Sequence, residues 1–484
     1  MRDIILVGAI LIGLAVATAY PFSGVILWTW FAVQNPHQEA FSFSRELPLN
    51  FIIAAVTIFS WLLSRERKLP PNQFLIWAIL IFLLWTTFNS FFSAAPDWSW
   101  QFWDRAWKTF ALGLLIATMA TTRVRIEAIL WVVVLSLFYF GIKGGIFTLA
   151  TGGVYKVVGP ENTIIADNNQ LALALLMGLP LANYFRRQTT NVAIKCALSV
   201  GMMLTLISVI GSYSRGAFLG LGALAIVGLL RTRRRLIYIA GAGIAAYGIA
   251  YFMPPAFWER IGTIQSPEAD PSFHGREIAW QVAYLYARDH FPFGAGFYGP
   301  QLSSVFHAYF PGEQAHAAHS IFFQVLGEHG FIGLAIYIMI LLGAFIKTFQ
   351  IIRICRSRDD LRWLSDLGGM IQLSLFAFCV AGAALSMAYY DVFVICVSLL
   401  VPMSIICHEA SRTTQSSFSA ATAEQNLSPM STVVFHPRTA SPPVAPRFPG
   451  KTTCKGNSAR AGPGGLAVDV RANIGCFALA VASR

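Results

Sequence analysis

Charge is scarce in this chain. Only 12% of its 484 residues are Asp, Glu, Lys or Arg, while 56% are hydrophobic. A soluble protein carries about a quarter charged residues, so an ordinary water-facing surface is excluded and a polytopic membrane protein is expected. Cysteine is sparse too. The seven (196, 355, 379, 396, 407, 454 and 476) fall in apolar runs, a basic loop or the C-terminal segment without a CxxC pair, so neither disulfides nor a zinc centre are expected. The N-terminus, MRDIILVGAILIGLAVATAYPFSGVILWTW, lacks a small-residue cleavage site. It reads as an uncleaved first span rather than a signal peptide.

The formal net charge is +12. In a membrane chain the placement of Lys and Arg says more than their sum, because they concentrate in cytoplasmic loops, and nucleic-acid binding is not the expected reading. Apolar runs able to span, at about 20 residues per crossing, lie near 4–33, 49–63, 73–92, 106–121, 126–149, 168–185, 192–211, 214–230, 236–253, 319–346, 367–388 and 391–408. These predict an all-α fold of about 12 transmembrane helices, provided the first run, interrupted at Tyr20-Pro21, crosses once. A hairpin there would make thirteen and move the N-terminus outside. The loops SRERK (64–68), TTRVR (121–125), Arg186-Arg187, RTRRR (231–235) and 347–362 hold sixteen Lys and Arg and fall on one side, which is read as cytoplasmic. The opposite side carries a long loop at 254–318 with short helices. Residues 1–409 form the membrane domain. Residues 410–484, rich in Ser, Thr, Ala, Pro and Gly without periodicity, read as a disordered cytoplasmic tail.

Polar residues that interrupt the apolar pattern gather on the side opposite the basic loops. Arg215 stands in SYSRGA at the mouth of a span beginning near Ser214. A helix start offers free N–H groups and a positive dipole end, and with Arg215, Ser212 and Ser214 it makes an anion site. An arginine reaching the interface to pair with lipid head groups is the competing account. In the long loop Arg276, Trp280 and Tyr284 recur at i, i+4 and i+8 on one helix face, and six of the nine histidines (274, 290, 307, 316, 319 and 329) fall between 274 and 329. Arg288 and Asp289 are expected to pair. His319 and Ser320 open a span, where the dipole disfavours imidazolium and suits His319 to act as a general base. An interfacial hydrogen-bonded histidine fits as well. His316 and His319 lack a nearby carboxylate cluster, so no metal site is expected. Asp167, Asn168 and Asn169 open another span, as caps or as partners for sugar hydroxyls. Glu328 and His329 are the deepest polar pair, with Glu328 either partnering an arginine or lining the cavity.

SYSRGA, the loop pieces GREIAW and FPFGAGFYGP, and HSIFFQVLGEHGFIG together resemble the O-antigen ligase family of bacterial inner-membrane proteins over about residues 1–410. WTWFAVQNPH and VGPENTIIADNNQLALALLM are similar to one branch of it, the O-glycosylation ligases associated with exosortase systems. The resemblance implies a GT-C-like, metal-independent and cofactor-free glycosyltransferase. It would take a glycan from undecaprenyl pyrophosphate on the periplasmic face and pass it, with inversion, to lipid A core or a protein Ser/Thr hydroxyl. Membrane lipids surround it. By motif, Arg215 and Arg276 would grip the pyrophosphate and His319 would assist the acceptor, with Ser212, Ser214, Asn168, Asn169, Trp280 and His316 contributing to substrate binding. A polymerase acting on the lipid-linked glycan remains an alternative. So does an anionic-solute transporter, although no internal repeat is present and the charges lie away from the midplane.

Overall fold

The computed structural model describes residues 2–40, 42–66, 68–232, 235–262 and 271–427. Among these the regular structure is helical throughout. The helices are α1 (Arg2–Ala19), α2 (Pro21–Gln34), α3 (Leu49–Leu63), α4 (Phe74–Ser90), α5 (Pro96–Met119), α6 (Arg123–Ala150), α7 (Asn168–Gln188), α8 (Val192–Gly211), α9 (Arg215–Arg231) and α10 (Arg235–Phe252). They continue with α11 (Pro255–Gly262), α12 (Pro271–Asp289), α13 (Ser303–Tyr309), α14 (Ile321–Cys355), α15 (Arg362–Gly382) and α16 (Asp391–Leu427). Among the described residues seven are long and apolar enough to cross a membrane, namely α1, α6, α8, α10, α14, α15 and α16 as far as Arg412, and α3, α4 and α9 are shorter apolar helices. The protein is therefore a multi-pass membrane protein, and every apolar run expected from the sequence is found as helix.

The first run resolves into the hairpin. Gly13 of α1 faces the Leu27 side chain of α2, seven residues either side of the break at Tyr20. The two ends of the hairpin are pinned separately. At the start of α1, the Asp3 carboxylate accepts hydrogen bonds from the backbone of Ser42 (3.2 Å) and Ser44 (3.3 Å) and from the Ser44 hydroxyl (2.7 Å). At the turn, Ser60 of α3 donates to the Ala17 carbonyl at 2.6 Å, and the Arg125 guanidinium lies 4.8 Å from the Phe22 ring. One continuous helix through Tyr20 is thereby replaced by two antiparallel ones, since Pro21 cannot donate into a continuing helix and suits a new first turn.

The basic loops at 64–68, 121–125, 186–187 and 347–362 meet at one end, while Arg233 and Arg234 of RTRRR lie outside the described residues. Arg125 forms a bidentate pair with Glu66 at 2.6 and 3.1 Å, Arg123 reaches Gln188, and Gln188 donates to Asp366 at 3.1 Å. Arg358 donates to the Ala410 carbonyl at 3.0 Å. The Tyr20 turn belongs to this end, so the start of α1 lies at the opposite one. Two units divide the chain, Met1–Arg412 and Thr413–Arg484. Residues 410–427, which composition assigns to an unstructured tail, continue α16; 428–484 lie outside the described residues.

The middle of α7 and the first part of α16 are apolar all round, and residues 171–182 and 392–401 are buried almost without interruption. That is the pattern of a helix enclosed by others. Large apolar side chains on α1, α4 and α10 instead point outward, as a hydrocarbon-facing surface requires. Lipid offers no hydrophobic drive for helices to associate, so close packing of small residues matters. A Cβ on Gly145 of α6 would fall 2.2 Å from the Leu204 carbonyl oxygen of α8, which makes α6 and α8 backbone neighbours at that point.

Candidate active site

Helices α7, α9 and α14 all begin at the end opposite the basic loops, and short contacts bring their first turns around the end of α15. Asn168, the first residue of α7, donates to the Ser212 carbonyl just before α9 at 2.6 Å. Gly216 of α9 lies against Ala381 and Ala384, and Gly382 lies against Ile321, which opens α14. Three positive helix ends thus converge on one region.

Two of these starts share a backbone device. Tyr213 (φ +60°) and His319 (φ +43°) adopt the left-handed conformation immediately before the N-cap residues Ser214 and Ser320. For non-glycine residues this costs about 1 to 3 kcal/mol each and persists only where surroundings enforce it. At Tyr213 the enforcement is visible. Its hydroxyl donates to the Gly153 carbonyl, its ring packs edge-on against Phe257, and its own carbonyl accepts from Arg260 Nε at 3.3 Å. Arg215 follows as the first residue of α9, half-buried. It lines an open cleft of about 430 Å³ together with Lys156, Tyr213, Glu259 and Arg260.

His319 is held from the other side. Helix α12 lies along the first turns of α14 in the same direction, with Trp280 stacked on Phe323 at 5.0 Å and Tyr284 edge-on to Phe331 at 6.0 Å. The Trp280 indole donates to the Ala318 carbonyl at 2.6 Å, fixing the residue before His319. Burial lowers the pKa of His319, and the positive charge of Arg276 lowers it further; Asp167 acts in the opposite sense and His316 weakly in the same one. Both effects disfavour the imidazolium form, with desolvation the larger cause and the neighbouring guanidinium the second. Arg276, Asp167, His316 and His319 share one electrostatic neighbourhood, and exposed His316 sits beside Gly275.

Several residues expected to meet substrate are committed to the scaffold. Ser212 donates to the Val209 carbonyl at 2.6 Å and accepts from the Ser214 backbone. Ser214 caps α9 by accepting from Ala217 N–H at 3.2 Å, and both serines are buried. Asn168 is buried and holds the α8–α9 turn, while Asn169 bonds Asp167, the N-cap of α7. Their hydroxyls and amides shape the site rather than facing outward. Arg288 and Asp289 pair at 2.7 Å as expected.

Glu328 has neither of its expected arrangements. Its carboxylate accepts from the Tyr389 hydroxyl at 2.7 Å and from the Tyr298 backbone at 3.2 Å. At the next position but one, Gly330 (φ +70°) breaks α14, a conformation that glycine accepts without strain. The carbonyls released there are taken up by others. Glu328 O accepts from Gly296 N–H and from Asn89, and His329 O from the Trp85 indole at 2.8 Å. His329 is enclosed by the rings of Phe82, Phe297 and Tyr389. This group clamps the FPFGAGF segment onto α14 and maintains the wall behind the site. Sequence reasoning missed Tyr389, Asn89, Lys156 and Arg260, since their distance in the chain leaves no local pattern to find.

Residues 1–190 match a family of unknown function, DUF5935, and residues 200–338 match the O-antigen ligase family, Wzy_C. A protein of Trichlorobacter lovleyi named as a probable peptidoglycan glycosyltransferase FtsW is 29% identical over 179 residues, 36% of this chain and 42% of that relative. The match therefore spans less than half of the relative's length. Arg215, Arg276 and His319 all fall within residues 200–338, the segment in which the chain is similar to the O-antigen ligase family.

Proposed function

We propose that this protein transfers a glycan from undecaprenyl pyrophosphate to an acceptor hydroxyl, of lipid A core or of a protein Ser/Thr, at the periplasmic face of the bacterial inner membrane. The observation that carries the reading is His319, shifted toward its neutral form by burial and by Arg276, at the place where the starts of α7, α9 and α14 converge, with Arg215, Arg276 and His319 inside the segment that matches the O-antigen ligase family. Attack on the anomeric carbon frees a pyrophosphate, and the developing charge on the leaving oxygen is what the enzyme must stabilise. Arginine suits this task, because its planar fork binds phosphate through two parallel hydrogen bonds where lysine offers a point charge. Arg215 and Arg276 take that role without a metal. His319 accepts the acceptor proton as the hydroxyl attacks from the face opposite the departing pyrophosphate, which inverts the anomeric centre.

A physical coupling follows from the Arg276–His319 proximity. Before donor binding, Arg276 opposes proton uptake by His319. A bound pyrophosphate brings compensating negative charge, so the base becomes stronger once the donor is seated. Purified protein in nanodiscs, given synthetic undecaprenyl-pyrophosphate glycan with lipid A core or peptide acceptors, tests the proposal. Transfer abolished by His319→Ala, with donor binding retained, supports it; transfer by wild type that His319→Ala leaves unchanged refutes the assigned role.

A further inference from the structure

The cleft beside the start of α9 gathers cations that the proposed mechanism does not use. Lys156, Arg215 and Arg260 line it from three separate elements, namely the segment joining α6 to α7, the first residue of α9, and α11, with Glu259 the carboxylate among them. Its volume of about 430 Å³ lies within the range of about 300 to 1,000 Å³ typical of small-molecule sites and is more than a lone phosphate fills. Arg260 is half-buried and anchored, since its Nε–H is given to the Tyr213 carbonyl at 3.3 Å. That bond ties the guanidinium to the residue whose left-handed conformation sets the start of α9, so Arg260 and Arg215 are positioned by one turn. Lys156 is exposed on the facing segment, and that segment is itself held to the turn, because Val157 N–H donates to the Gly211 carbonyl at 3.0 Å.

We propose that this cleft is a phosphate-recognition site, in which Lys156 and Arg260 complete with Arg215 the grip on the diphosphate of the lipid-linked donor. The inference rests on the glycan-transfer reading for the identity of the diphosphate. A net positive charge lining a cleft concentrates an oppositely charged ligand, and a planar guanidinium next to an ammonium on a long flexible stem suits two linked phosphates that must be held and then released. Glu259 opposes the same ligand. It tempers affinity, which a donor site that has to discharge a spent diphosphate carrier requires.

Binding is read separately from turnover, using full-length protein in phosphatidylcholine nanodiscs and undecaprenyl pyrophosphate as the probe. Lys156→Ala should weaken binding by about two- to fivefold, the scale of an exposed charge pair. Adding Arg260→Gln should bring the loss beyond about tenfold, as expected of a charge-assisted hydrogen bond to phosphate. Glu259→Gln should tighten binding, an outcome that damage to the fold would not produce. In the transfer assay the donor KM should follow these changes while the acceptor KM stays constant. Should the acceptor KM move instead, or phosphatidylglycerol compete with the probe for the wild-type site without affecting the variants, the phosphate recognised is an acceptor's or a phospholipid's and the donor assignment falls. Wild-type binding in Lys156→Ala and Glu259→Gln, both exposed positions, overturns the site altogether. A wild type that binds the probe with the expected variant pattern yet transfers no glycan overturns the transfer reading alone and leaves the phosphate site supported.

Discussion

The closest quantitative consequence of the site geometry concerns the charge of Arg276 and its effect on His319. Burial and Arg276 both lower the pKa of His319, in that order of size. A general base must be neutral, so activity should persist as pH falls below the ordinary histidine value of about 6.5 and fail only when the lowered pKa is crossed. Replacing Arg276 by Gln removes the second cause and leaves the first. Removing that positive charge leaves burial as the main depressing cause, so the pKa of His319 rises relative to wild type. The acid limb of kcat/KM for Arg276→Gln should therefore move to higher pH, in addition to a uniform loss of rate from the missing pyrophosphate contact. A direct reading uses the pH dependence of His319 modification by diethyl pyrocarbonate, with His319→Ala as the blank. Equal acid limbs in wild type and Arg276→Gln, by both rate and modification, would refute the coupling and with it the assignment of His319 as the base.

Three further outcomes are expected. Arg215→Lys should lose nearly as much activity as Arg215→Ala, about 2 to 4 kcal/mol of transition-state stabilisation or roughly thirty- to a thousandfold in rate, with normal membrane levels; near wild-type turnover in the lysine variant would make Arg215 an interfacial charge. Gly145→Ala places a Cβ 2.2 Å from the Leu204 carbonyl oxygen, and forced overpacking of this kind costs about 1 to 3 kcal/mol, so the purified variant should melt at a lower temperature in detergent, and an unchanged Tm would show that α6 and α8 separate freely. A reporter joined to the N-terminus should register outside the cytoplasm while reporters at 66 and 187 register inside, and a cytoplasmic signal from the N-terminal fusion would contradict the hairpin of α1 and α2.

What the sequence makes legible depends on the range of the interaction involved. Apolar run length is a local property, so all the membrane-length helices can be located from composition, and the alternation of basic loops predicts the end at which Glu66, Arg125, Gln188 and Asp366 in fact meet. The break at Tyr20-Pro21 is visible locally, but whether the chain turns back there depends on Asp3 finding Ser42 and Ser44 and on Ser60 finding Ala17, contacts that no window of sequence contains. The site divides in the same way. Arg215, Arg276 and His319 announce themselves because a cation or imidazole at an apolar boundary is costly without a purpose. Ser212, Ser214 and Asn168 look equally available in the sequence, yet the structure uses their polar atoms to close the turn before α9. A helix start at the membrane boundary must satisfy its own backbone groups before it can offer any to a ligand. Short side chains are the ones near enough to do so. The long side chains of Arg215, Arg260 and Lys156 line the cleft beyond that scaffold, whereas the serines and asparagines that residue type alone offers to a ligand are used by the turn itself. Glu328 illustrates the remaining limit: a buried carboxylate suggests an arginine partner, but a broken helix presents a tyrosine hydroxyl and a backbone N–H instead, and the break itself becomes visible only when the positive φ of Gly330 is seen.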